Sequence, residues 1–213
     1  KLMRTLDFED ESSYKNPNDT SFGDLNENKN TEGIKDELTN KDGCGFKPIG
    51  DYSATYNHFS GTFLGQGFEI RNIYINASKI PEESTRESFI GLFGYVLNGT
   101  IKQIGITGNI NFNKDILANA SATGGIVGCA TSSNISDCYN ACEINSNSIN
   151  YMNSTGGIVG EIHGGRLSNC YNIGDIISNG QDSRVGGISG QSYCDEISNC
   201  YNAGNISSNN HSK

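Results

Sequence analysis

The sequence predicts an all-β fold, a parallel β-solenoid (β-helix) of about five to six coils with an irregular N-terminal capping segment. Three observations carry that prediction. A unit of about 30 residues recurs along the second half of the chain. Its copies are studded with Gly, Asn and Ser, which tolerate tight turns and positive φ. None contains an apolar stripe of helical period long enough for a crossover helix. Composition agrees: of 213 residues, 27 are Gly and 28 are Asn, and hydrophobic residues reach only 34%. That is short of the large side chains an ordinary core needs and argues against a helical bundle. A thin core of small, stacked side chains fits better.

In chain order, Leu2–Phe8 is a candidate outermost coil. The polar, acidic stretch that follows lapses from the pattern, with one short helix expected near Thr31–Leu38 and Thr31 as its N-cap. A solenoid end exposes a strand edge that needs cover. Residues 1–45 are therefore read as a first irregular coil with a capping insertion, and 46–213 as the solenoid. Two weak copies open it, Phe59–Ile70 with Arg71–Ile75, then Gly91–Gly94 with Thr100–Ile110. Between them Ala77–Ser88 is charged and should project as a loop.

Three strong copies follow. Gly124–Ile144 reads GGIVGCATSSNISDCYNACEI, Gly156–Ile176 reads GGIVGEIHGGRLSNCYNIGDI, and Gly186–Ile206 reads GGISGQSYCDEISNCYNAGNI. The interval from GGI to CYN is the same in each. Repeat units are thus placed at 91–112, 124–148, 156–178 and 186–208. In a solenoid each strand pairs with its equivalent in the next coil, so equivalent residues stack. Ile101, Ile135, Leu167 and Ile197 should form one inward ladder. Ile104, Cys138, Cys170 and Cys200 form a second, and Ile110, Ile144, Ile176 and Ile206 a third. Asn140, Asn172 and Asn202 should line a turn and bond along the stack. Tyr139, Tyr171 and Tyr201 should face opposite to the cysteines, because strand side chains alternate.

This GG-I-V/S-G…C-Y-N-x-G-x-I pattern resembles the GLUG repeat of bacterial surface and secreted proteins. Gly45–Gly50, Phe59–Phe63, Ile70–Ile75 and Leu2–Phe8 resemble the segment that precedes such repeats. The resemblance implies a right-handed parallel β-helix and a bacterial extracellular or cell-surface address. It also implies similarity to the non-catalytic N-terminal regions of metallopeptidases that cleave immunoglobulin A.

Charge and motifs narrow the chemistry. The net charge of −9 and the lack of clustered cations exclude nucleic acid as a partner. No run approaches the roughly 20 apolar residues of a membrane span. Seven cysteines, an odd count, argue against a complete internal disulfide framework. Cys138, Cys170 and Cys200 read as small core residues, and Cys194 as the most exposed thiol. A metal site from Cys138, Cys142 and Cys170 rests on a CxxxC spacing alone and is disfavoured. His58, His163 and His211 are isolated, with no HExxH. The one metal candidate is calcium at Asp24, Asn26, Asn28 and Asn30, spaced like an EF-type loop but lacking its Gly and its terminal Glu. No other cofactor is expected. A β-helix hydrolase or lyase needs converging carboxylates, and Asp137, Asp175, Asp195 and Glu196 fall mostly at non-equivalent positions. The expectation is a monomeric, non-catalytic stalk or adhesive segment. Tyr139, Tyr171 and Tyr201 are its candidate binding surface toward a host protein or glycan. A substrate-engaging region of an immunoglobulin A-type metallopeptidase and a carbohydrate-active enzyme are the alternatives.

Overall fold

The computed structural model describes residues 2, 4–8, 45–52, 57–77, 87–113, 120–147, 153–180 and 183–208. These contain seventeen strands and no α-helix. The calcium candidate at 24–30, the helix expected at 31–38, Cys44 and His211 lie outside them.

The last four coils share one plan. The first of these runs through β3 (Glu87–Ile90), β4 (Phe93–Leu97) and β5 (Thr100–Asn113). The next comprises β6 (Ala120–Gly124), β7 (Val127–Ser136) and β8 (Tyr139–Asn147). The third has β9 (Asn153–Gly156), β10 (Val159–Ser168), β11 (Tyr171–Asn172) and β12 (Ile176–Ser178). The last has β13 (Arg184–Gly186), β14 (Ser189–Tyr193), β15 (Glu196–Ser198), β16 (Tyr201–Asn202) and β17 (Ile206–Ser208). The first strands stack into a four-stranded sheet, β13-β9-β6-β3, and the rest join a thirteen-stranded sheet. Every named strand pair is parallel, as in a solenoid.

Coil number departs from expectation. About four turns close among the described residues, where four strands line the smaller sheet. Upstream, β2 (Thr62–Asn76) pairs with β5, and β1 (Leu6–Asp7) pairs with β2. These are partial layers on the stack. The segment from Gly45 to Phe59 touches β4 through isolated bridges at Ile49–Phe93 and Phe59–Val96. The loop expected at Ala77–Ser88 is also shorter at its far end, since Glu87 and Ser88 already belong to β3.

The ladders form in the predicted register. Ile101, Ile135, Leu167 and Ile197 are successive partners, as are Ile110, Ile144, Ile176 and Ile206. Cys138 and Cys170 lie in the buried interior with these ladders, and Tyr139, Tyr171 and Tyr201 point outward. The interior is not wholly apolar. Thr123, Thr155, Ser146, Ser178 and Asn153 form a buried seam between the two sheets. Their hydroxyls and amide satisfy one another: Thr155 meets Ser178 at 3.2 Å, and Asn153 Nδ2 donates to Ser146 Oγ at 3.0 Å. Mutual bonding is what allows polar groups to be buried at small cost.

The GGI and CYN halves of the repeat prove to be one device. The Asn140 Nδ2 group donates to the Cys142 carbonyl, and its Oδ1 accepts from the Cys142 N–H at 3.0 Å. This closes a local turn of the kind Asn favours. The amide then lies across the interior against Gly125, where a Cβ would sit 2.4 Å from Asn140 Cγ. Gly157 meets Asn172 and Gly187 meets Asn202 in the same way. Only Gly leaves room there.

Candidate functional site

The outward face of β8, β11–β12 and β16–β17 carries the tyrosine column. Tyr139 and Tyr171 stack with ring centroids 5.0 Å apart and planes 7° apart, and Tyr171 and Tyr201 follow at 5.2 Å and 5°. In-register parallel strands impose that spacing, since each ring sits one strand separation below the last. The column lies on the outer face, with Tyr139 and Tyr171 half-buried and Tyr201 56% exposed. Between neighbours the ring faces are spent on each other, and the outer face of Tyr201 stays bare. A sugar ring cannot stack on Tyr171, and contact along the column is limited to ring edges and hydroxyls.

Both ends of the column differ. Tyr139 leans over Gly105, where a Cβ would come 2.1 Å from the ring. Its hydroxyl donates to Glu69, one coil further up, and Arg71 Nε donates to the same carboxylate at 2.5 Å. Burial, then the Glu69 hydrogen bond, push the Tyr139 hydroxyl well above the usual tyrosine range. The Tyr139 and Arg71 donors hold Glu69 below the usual carboxylate range. The upstream end is thus closed and pinned, whereas Tyr201 ends the column downstream.

The four carboxylates singled out in the sequence each engage a different partner. Asp137 accepts from Asn169 Nδ2 at 3.1 Å, on a corner where Gln103, Asp137, Asn169 and Asn199 all have φ between 53° and 57°. Asn and Asp adopt this left-handed conformation more readily than other side chains. Asp175 accepts from Asn205, Asp195 caps the Gly165 N–H, and Glu196 lies 3.6 Å from Arg166.

The cysteines behave as core residues. The Cys138 and Cys170 thiols donate to the carbonyls two residues back, Ser136 and Ser168, at 3.0 and 3.2 Å. Burial pushes the Cys142 thiol up, and the neighbouring Cys138 together with burial does the same to Cys170. Such thiols stay protonated and unreactive. Cys194 is half-buried, its sulfur 3.1 Å from Ser192 Oγ. Among the described residues no three His, Cys, Asp or Glu side chains gather to hold a metal. No helix there is long and apolar enough to cross a membrane.

Two outward features escaped the sequence reading. Tyr52, Phe89 and Tyr95 form an aromatic cluster with centroids 5.2 to 5.7 Å apart. On the same broad face His163 stacks on Tyr193 at 5.3 Å and bonds Glu161 at 2.7 Å. The second lies in columns whose residue changes at every coil, Tyr95–Cys129–Glu161–Gln191 and Leu97–Thr131–His163–Tyr193, so repetition did not announce it.

Comparison with known proteins bears on the repeat. The family model for the GLUG motif matches residues 119–144. That stretch runs from the start of β6 to the core residue Ile144 in β8, so it covers most of one coil. The chain carries a GLUG motif, and the two coils after it repeat the pattern in register. No curated protein and no solved structure matches the chain.

Proposed function

We propose that the chain is a non-catalytic β-solenoid segment of a bacterial cell-surface or secreted protein. It serves as a rigid stalk that presents a contact face. The observation that carries this reading is the uninterrupted in-register stacking of GLUG-type coils. Stacking extends one core along an axis and yields length and flat ladder faces. The dispersal of Asp137, Asp175, Asp195 and Glu196 into separate structural pairs supports the non-catalytic part.

The contact face is the side bearing Tyr139, Tyr171 and Tyr201, whose hydroxyl rims meet a host protein or glycan edge-on. Resemblance to the regions that precede immunoglobulin A-cleaving peptidase domains supports a narrower form, in which the solenoid engages the immunoglobulin. The test is binding of the full chain to arrayed host glycans, mucosal proteins and immunoglobulin A. Wild type is compared with a variant carrying Ser at all three tyrosines. Binding lost in the variant supports the assignment, and equal binding by both removes the tyrosine face. Turnover of pectin- or glycosaminoglycan-type polymers by the chain alone would overturn the non-catalytic reading.

A further inference from the structure

We propose that the open face of the last coil, β13 to β17, docks one further coil of the same repeat, in parallel and in register. The occupant is a segment of about 30 residues with the Gly-Gly-Ile and Cys-Tyr-Asn pattern. The proposal stands on coil geometry and does not depend on the stalk role.

The face shown by the last coil is nearly the one that the preceding coil presents to it. Leu167, Cys170, Tyr171, Asn172 and Ile176 become Ile197, Cys200, Tyr201, Asn202 and Ile206. Leu167 and Ile176 are fully buried, whereas Ile197 and Ile206 are each 46% exposed. Two inward-ladder isoleucines left half exposed at the end of the stack form an apolar patch of the kind that marks an interface.

Three directional features name the occupant. The first is the amide ladder. Asn140 Nδ2 donates to Asn172 Oδ1 at 2.7 Å, and Asn172 Nδ2 donates to Asn202 Oδ1 at 2.7 Å. Asn202 Nδ2 donates to the Gly204 carbonyl, and among the described residues its second N–H has no acceptor. The next acceptor belongs one coil further on. The second is the tyrosine column, whose last ring is stacked on one side by Tyr171. The third is backbone proximity. A Cβ at Gly174 would lie 1.9 Å from the Cys142 carbonyl oxygen, and one at Gly204 would lie 2.1 Å from the Gly174 oxygen. An incoming coil with Gly opposite Gly204 fits this approach as Gly204 itself fits Gly174, whereas the coil of β8 carries Cys142 at that position, opposite Gly108.

A glycan, or a second copy turned end to end with antiparallel strands, meets some of these requirements. Only a parallel repeat coil meets the amide, ring and apolar demands together with the close backbone approach at Gly204. It also pairs the outer row of backbone groups on β14 to β17, an edge that otherwise templates association.

The experiment repeats residues 179–208 once, directly after Ser208, in the full chain. Amide hydrogen exchange is then read in β14 to β17. The expected result is slowing of about tenfold or more there, with the added coil itself protected. The pair Ile197→Lys with Ile206→Lys should leave the parent chain folded and abolish the slowing in the extended chain. Unchanged exchange with a freely exchanging added segment overturns the proposal, as does slowing that survives the two lysines. If the extended chain does not fold, the same segment is given to the parent chain as a separate peptide. No slowing at millimolar peptide then overturns it. Protection of these strands in the parent alone, with dimerisation on sizing, would show a second copy as the occupant and overturn it equally.

Discussion

The coils built on β9–β12 and on β13–β17 carry closely similar sequences but differ in environment. Ile176 is fully buried and Ile206 is 46% exposed, and Leu167 and Ile197 differ in the same way. Their backbones follow the same path, and their Asn residues close the same turn onto Gly174 and Gly204. The conformation of a coil is therefore set by its own residues. Its stability is set largely by the neighbour below. Full burial of an Ile contributes about 1.5–3 kcal/mol relative to exposure, and the last coil collects only part of that at each ladder.

Substituting matched positions in the two coils breaks or sharpens this contrast. The largest effect is expected at glycine. In Gly157→Ala the new Cβ would sit 2.2 Å from the Gly187 carbonyl oxygen and 2.4 Å from Asn172 Cγ. Backbone lies on one side and a buried amide on the other, so a loss of about 3 kcal/mol or more is expected by chemical denaturation. Gly187→Ala meets only the exposed Asn202 side chain within that range and should cost roughly 1 kcal/mol. Equal losses would show that the corner itself, not the neighbouring coil, sets the glycine requirement.

The isoleucine pair comes next. Ile176→Ala should destabilise by about 2–4 kcal/mol, and Ile206→Ala by under about 1 kcal/mol. Matching midpoint shifts for the two would refute neighbour-supplied burial. Asn172→Ala removes the acceptor for the Asn140 amide and the donor to Gly174, leaving buried polar groups unpaired. A cost of about 1–3 kcal/mol follows. Asn202→Ala should cost less, since its own donor to Gly204 is exposed and only the Asn172 amide loses an acceptor.

The smallest effect concerns pH at the pinned end of the tyrosine column. Glu69 is held below the usual carboxylate range, first by Tyr139 and then by Arg71. Its contribution is present above the ordinary glutamate value, near ~4.3, and is lost as pH falls through the folded value. Tyr139 is shifted upward, so its contribution is present below the ordinary tyrosine value, near ~10, and is lost as pH rises through the folded value. Glu69→Gln should flatten the acid side of a thermal-midpoint profile. It should also make Tyr139 ionise at lower pH in an ultraviolet titration. An unchanged Tyr139 titration would remove the hydrogen bond as a cause.

Legibility in the sequence followed repetition. The ladders of Ile101, Ile104 and Ile110 and the outward tyrosines could be named because identical spacing forces equivalent residues into register. The smaller sheet was not legible. Three of its four strands read ASATG, NSTG and RVG, without the apolar alternation that marks a half-buried strand. The first two are buried against a polar seam, and their signal was only the hydroxyl preceding each GG at Thr123 and Thr155. The aromatic cluster of Tyr52, Phe89 and Tyr95 joins segments far apart in sequence, so no local pattern announced it. The coil count was overestimated for a similar reason. Phe59–Ile75 carries the strand pattern of a repeat and pairs with β5, but among the described residues no strand from it joins the smaller sheet beside β3.

What the sequence determined by itself is the coil: its period, its corners, its strand register and the direction of each side chain. These depend on interactions within about 30 residues and on exact recurrence. Tertiary structure alone decided how buried each equivalent residue is and whether a ring face is covered or bare. It also decided that the Asn of one corner fills the space left by the Gly of another. Those properties belong to the contact between coils or across one, and a residue's own sequence neighbourhood is the same whether or not that contact is made.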